Sequence, residues 1–145
     1  MFSNFKSIIA NYFLARDIRY LNIREKKLIT LSEANSVGVL FDADSSGDLS
    51  VVKSFVKFLL KKNIDVYVLG FVDDSKMKTI HLSSIHIDYF NLSDLTFFGF
   101  PNSPKTNIFL SKKYDILVNL SLKNSFPTRC LSLKAKATFK IGSLI

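Results

Sequence analysis

The chain has 145 residues, a length typical of a single domain, and 48% of them are hydrophobic, enough to bury a core. No apolar run approaches the roughly 18–20 residues that span a bilayer, and the single Cys130 excludes an internal disulfide, so we expect a cytoplasmic protein without a membrane span. The formal net charge of +8 favours an anionic partner, although most of the cations are Lys, which the codon bias of an AT-rich genome can supply.

The first 35 residues differ in pattern from the rest of the chain. Apolar side chains from Phe5 to Phe13 recur at helical spacing, and a stretch of mixed charge follows them. We therefore predict an N-terminal helical, basic extension over residues 1–35, followed by a domain over residues 36–145. Its helix could dock on the domain or bind an anionic surface, and we favour docking.

The regular part begins with a strand, a helix and a second strand. Val37–Phe41 is a continuous apolar run, as in a parallel strand that is covered on both faces. From Asp48 to Lys62 apolar residues recur with a period of 3.6, and Lys53, Lys57 and Lys61 occupy the opposite face. Val66–Val72 is a second buried run. This order predicts a right-handed βαβ unit.

The remaining pattern predicts a Rossmann-like α/β fold with a sheet of four or five mostly parallel strands and helices on both faces. Pro101 and Pro104 indicate a loop over residues 91–105, with a turn of helix within residues 92–98. Further strands are predicted at Ile85–Phe90, Ile116–Leu120 and Ala137–Gly142, and further helices at Asn107–Lys112 and Thr128–Lys134.

The turn after the first strand carries three acidic residues. Residues 42–50 match the first nine positions of a calcium-binding EF-hand loop, but Lys53 stands where the loop needs a bidentate Glu. Ser46 and Asp48 can instead begin the following helix, where a carboxylate complements the helix dipole. We therefore predict no metal site and no cofactor.

A magnesium-dependent phosphoesterase or nuclease is the alternative reading of the same turn. Asp42 at the end of the first strand resembles the acid of NYN/PIN-type nucleases and of aspartate-nucleophile phosphatases, and clustered carboxylates attract Mg²⁺. The candidate catalytic residues are Asp42, Asp44 and Asp115. Asn119 stands where this chemistry would use another acid, so we predict a protein without catalytic activity.

Two further resemblances concern the fold. Tyr114–Leu120 and Ala137–Gly142 resemble the amino-terminal, Rossmann-like half of heptosyltransferase-type glycosyltransferases. The segments 37–43, 69–73, 115–120 and 124–127 together resemble a family of small α/β proteins from Bacteroidota, to which no activity is assigned. Both resemblances imply a Rossmann-like fold, the second also implies a cytoplasmic origin, and neither supports a reaction for this chain.

The charge is unevenly distributed, and this carries our prediction of function. Residues 37–94 hold six cations and eight anions, whereas residues 95–145 hold eight cations and one anion. We predict a non-enzymatic domain whose basic first and last segments contact RNA or a ribonucleoprotein such as the ribosome. The expected phosphate contacts are Lys112, Lys113, Lys123, Arg129, Lys134, Lys136 and Lys140.

Two other features leave alternatives open. A pure protein-interaction domain could dock through the Phe5–Phe13 helix. The aromatic run Phe97–Pro101 could offer a stacking platform for bases, or it could belong to the core or to a partner interface.

Overall fold

The computed structural model describes residues 33–43, 46–73, 86–121 and 125–142, with backbone only for residues 46–48. The predicted N-terminal helix, Asp44, Lys123 and the side chains of Ser46 and Asp48 lie outside this described part.

Five parallel strands form the centre of the domain. They are β1 (Ser36–Asp42), β2 (Asp65–Val72), β3 (Ile87–Asn91), β4 (Lys113–Asn119) and β5 (Lys136–Ile141), in the spatial order β3-β2-β1-β4-β5. The connections are α1 (Ser46–Lys61), α2 (Pro104–Ser111) and α3 (Phe126–Lys134), with a 3₁₀ turn at Leu92–Asp94. This confirms the predicted α/β fold.

The sheet is covered on both faces, which explains the long apolar runs of its strands. On one face, Val37 and Val39 of β1 pack with Val52 and Val56 of α1. On the other face, Leu40 of β1 belongs to a second core that includes residues of α2 and α3. Each strand therefore contributes to two apolar layers.

The second helix begins earlier than its predicted start at Asn107, because a cap in the proline loop was missed. The hydroxyl of Ser103 accepts a hydrogen bond from the Thr106 backbone N–H at 3.3 Å, and the Thr106 hydroxyl accepts one from the Ser103 N–H at 2.9 Å. Pro104 fits the first turn, where its missing N–H has no helical partner. The two Pro residues therefore do not both belong to a loop.

The parallel arrangement gives the sheet an amino edge and a carboxyl edge. The strands are parallel, so all five amino ends lie at one edge and all five carboxyl ends at the other. Each helix connects a carboxyl end to an amino end, so the last turns of α1, α2 and α3 lie near the amino edge.

No described helix is long and apolar enough to cross a membrane.

Candidate nucleic-acid interface

A loop rich in aromatic residues follows the 3₁₀ turn, and we call residues 95–101 the aromatic loop. Leu95 and Pro101 pair as an isolated antiparallel bridge that closes it. Inside, the Thr96 N–H donates to the Phe100 carbonyl at 2.8 Å, and the Gly99 N–H donates to the Thr96 carbonyl at 2.9 Å. Gly99 has φ +89°, a conformation that side chains disfavour, so glycine suits this turn.

The aromatic loop packs against the start of α3. The rings of Phe100 and Phe126 meet edge to face, with centroids 5.4 Å apart and an interplanar angle of 71°. A β-carbon at Gly99 would lie 3.6 Å from the Phe126 ring, so the loop backbone also approaches this ring closely. The contact fixes the aromatic loop to α3, which packs against the sheet.

Two predicted phosphate-binding residues lie over these same rings. The Arg129 guanidinium is 5.6 Å from the centroid of Phe126, and the Lys134 ammonium is 4.8 Å from the centroid of Phe100. Both distances lie within the range of cation–π attraction. Since residues three and eight positions after Phe126 share its helix face, α3 presents a ring and two cations to one side. The aromatic loop with Phe126, Arg129 and Lys134 forms what we call the aromatic–basic surface.

The other predicted contacts lie at the amino edge of the sheet. Lys113 and Lys136, both exposed, begin β4 and β5 and are register partners. Lys112 precedes them, with its ammonium 4.6 Å from the Tyr67 ring centroid. Lys136 lies two positions after Lys134, so the amino-edge lysines begin close to the last turn of α3.

Lys140 has a structural contact. Its ammonium donates to the Leu133 carbonyl, in the last turn of α3, at 3.1 Å. Cations at the carboxyl end of a helix also complement its dipole, a role that Lys134 can share. The structure therefore brings Arg129 and Lys134 together with aromatic rings, and places Lys140 against the helix end.

Two of the three carboxylates proposed for metal chemistry, Asp42 and Asp115, lie at opposite edges of the sheet. Asp42 ends β1, whereas the Asp115 carboxylate accepts from the backbone N–H of Ser36, which begins β1, at 3.3 Å. Six residues of strand separate these positions by about 20 Å. Among the described side chains no group of three or more His, Cys, Asp or Glu is placed to hold a metal ion.

Asp42 instead links β1 to the beginning of α3. Its carboxylate accepts hydrogen bonds from the hydroxyls of Ser121, of Ser125 at 3.2 Å and of Thr128 at 3.4 Å. Asp42, Ser121 and Thr128 are all buried. A carboxylate beside a helix N-terminus complements the helix dipole, so this network supports the helix that carries Arg129.

Tyr67, which lies beneath Lys112, and the buried Tyr114 both have raised pKa values. Burial, and then the charge of Asp88 and its hydrogen bond to the phenol at 3.2 Å, raise the pKa of Tyr67 to about 12. Burial is the main cause that raises the pKa of Tyr114, whose hydroxyl donates to the Phe109 carbonyl at 2.8 Å. Both phenols stay protonated at neutral pH, so they add no charge beneath Lys112.

Comparison with known proteins identifies a family. Residues 6–144 match a family of unknown function, DUF6913. The chain belongs to this family. No curated protein and no solved structure matches it. The match spans the aromatic loop, α3 and the amino-edge lysines in one unit, and the expected origin in Bacteroidota and the glycosyltransferase likeness stay predictions.

The sequence predicts both halves of the aromatic–basic surface, but as separate candidates. The run Phe97–Pro101 was one candidate stacking platform, and Arg129 and Lys134 were candidate phosphate contacts. Phe126 was missed. The sequence did contain a signal for Phe126, because this residue lies three positions before Arg129 and just before the helix predicted at Thr128–Lys134.

Proposed function

We propose that this protein is a non-enzymatic domain that binds RNA, free or within a ribonucleoprotein such as the ribosome, through the aromatic–basic surface. The observation that carries the proposal is the placement of the Arg129 and Lys134 cations over two contacting aromatic rings. Basic side chains interleaved with aromatic rings suit a ligand with phosphates and bases.

The distribution of charge also supports an anionic ligand at the aromatic–basic surface. Residues 95–145 carry one acid, Asp115, and its carboxylate faces backbone N–H groups at the amino edge of β1. Asp94, at the start of the aromatic loop, accepts from the Asn91 N–H at 2.9 Å in a capping box. Both carboxylates are thus held by backbone donors rather than by the cations of the surface.

The test compares two charge-matched double variants. Arg129→Gln with Lys134→Gln removes two cations from the aromatic–basic surface, and Lys53→Gln with Lys57→Gln removes two from α1 on the other face of the sheet. Binding is measured by fluorescence anisotropy with a labelled, unstructured oligouridine over a series of salt concentrations. We expect the first pair to weaken binding about tenfold or more, because each lost contact is a hydrogen bond to a charged phosphate.

The salt dependence gives a second readout. Each phosphate contact on a single strand contributes about −0.7 to the slope of log K against log salt, so losing two contacts should flatten the slope by about 1.4. The Lys53/Lys57 pair should keep the wild-type slope. Equal losses in both pairs would mean diffuse attraction by net charge, and no binding by the wild type at low salt would overturn the proposal.

The cellular counterpart is a pull-down of the full chain with and without nuclease treatment. Under the proposal, nuclease releases the partners that the wild type retains, and the Arg129/Lys134 pair retains fewer of them than the Lys53/Lys57 pair. A defined complex that resists nuclease would instead indicate a protein-interaction domain.

A further inference from the structure

The rings of the aromatic–basic surface differ in their exposure to solvent. Phe100 and Phe126 are partly buried, contact one another and each lie beneath a cation. Phe97 is 60% exposed. Its ring meets Phe98 edge to face, with centroids 5.1 Å apart and an interplanar angle of 85°. Phe100 and Phe126 therefore position the cations, whereas more than half of the Phe97 side chain is exposed to solvent.

The loop that carries Phe97 is held in shape by its own backbone. Besides its internal bonds, the Asn102 N–H donates to the Asp94 carbonyl at 2.8 Å, directly outside the Leu95–Pro101 bridge. The Phe100 N–H also donates to the Thr96 hydroxyl at 3.2 Å. A ring on a closed loop loses little conformational freedom when a ligand binds, which favours affinity.

We infer that the aromatic–basic surface takes unpaired rather than duplex RNA, with one base stacked on Phe97 and the neighbouring phosphates on Lys134 and Arg129. The inference rests on the proposed function and names its ligand class. In a duplex the faces of the bases are covered by neighbouring base pairs, whereas an unpaired base offers a free face to an aromatic side chain. Phe97 and Phe100 are three residues apart, so their α-carbons lie at most about 11 Å from each other. A short stretch of single-stranded RNA can therefore reach both the Phe97 ring and the Lys134 cation, which lies over Phe100.

The experiment pairs Phe97→Ala with Phe58→Ala, since Phe58 is an exposed phenylalanine of α1 on the other face of the sheet. Each variant and the wild type are titrated with a short labelled oligouridine and with a labelled RNA duplex of equal length. Stacking of a base on an aromatic ring contributes roughly 1–3 kcal/mol, so Phe97→Ala should weaken oligouridine binding about 5- to 150-fold. Its duplex affinity, and both affinities of Phe58→Ala, should stay within twofold of wild type.

The outcomes separate this inference from the proposed function. If the wild type binds oligouridine and the Arg129/Lys134 pair weakens it, but Phe97→Ala does not, the stacking inference is wrong and the proposed function stands. Tighter binding of the duplex than of the single strand by the wild type would also overturn the inference. No binding of either RNA at low salt would remove the proposed function itself. Phe97→Leu, which keeps an apolar side chain without an aromatic face, should behave like Phe97→Ala, and thermal melting should show that both variants remain folded.

Discussion

Gly70 is the most tightly enclosed of the glycines that the structure describes. It lies in β2 between two register partners, Phe41 of β1 and Tyr89 of β3. A β-carbon at Gly70 would lie 2.6 and 2.8 Å from two atoms of the Phe41 ring and 3.0 Å from the Tyr89 ring. Carbon atoms prefer separations of about 3.5–4.0 Å, so Gly70→Ala would force the Phe41 ring to move by about 1 Å.

The enclosure of the two rings sets the magnitude. Phe41 is 1% exposed and Tyr89 is 2% exposed, and their centroids are 6.0 Å apart, so neither ring has open space to enter. Overpacking of this kind costs about 1–3 kcal/mol. Replacing Gly by Ala also restricts the unfolded chain, which returns about 0.4–1 kcal/mol. We expect Gly70→Ala to lower the free energy of unfolding by about 1–2 kcal/mol.

The assay is urea unfolding followed by far-ultraviolet circular dichroism, because the chain has no Trp for fluorescence. Gly38→Ala is the graded comparison: its β-carbon would lie 3.1 Å from side-chain atoms of Leu117 and Tyr114, so its loss should be smaller. In a double-mutant cycle, Phe41→Leu removes the clashing ring atoms. The double variant should therefore lose about 1 kcal/mol less stability than the sum of the losses of the two single variants. A neutral or stabilising Gly70→Ala, or strict additivity with Phe41→Leu, would refute this account of the packing.

Three further predictions concern polar groups that are buried or partly buried. Asp42→Ala should lower the free energy of unfolding by about 2–3 kcal/mol in the same urea assay, because it leaves the buried hydroxyl of Thr128 without its carboxylate acceptor; an unchanged midpoint would contradict the structural role of Asp42. Tyr114→Phe should cost about 1 kcal/mol, since a backbone carbonyl of α2 loses its hydrogen bond, and a loss near zero would count against that bond. The pKa of Tyr67 is raised from 10.0 to about 12, so the unfolded chain releases this proton first and stability should fall as the pH rises from about 10 to 12. Unfolding measured across that range should show a shallower fall in Tyr67→Phe than in the wild type, and parallel curves would disprove the shift.

The elements of the fold could be read from the sequence where one local pattern dominated. The runs around Val37 and Val66 consist of consecutive apolar residues because both faces of these strands are covered. The ends of the elements were predicted less accurately. For example, β4 begins at Lys113, three residues before its predicted start at Ile116. Its first residues include the charged Lys113 and Asp115, which apolar runs do not reveal.

The candidate site depended on contacts between distant parts of the chain. The acidic turn at Asp42 looked like a place for metal chemistry, but the partners of this carboxylate come from residues 121–128, about 80 positions later. Hydroxyl groups have no sequence pattern that shows which acid they will meet. The pairing of Phe100 with Phe126 also joins separate segments of the chain, 26 positions apart, and only packing of the loop against α3 produces it.

The sequence by itself determined the alternation of strands and helices, the two-sided burial of the sheet and the basic character of the last third of the chain. These properties follow from the order and period of apolar and charged residues, which are local. The tertiary structure alone decided the strand order, the separation of Asp42 from Asp115 by the length of a strand, and the meeting of Lys134 with the Phe100 ring. Those features depend on the way in which the crossovers return each strand to the sheet, because that return sets which distant side chains share an edge or a face.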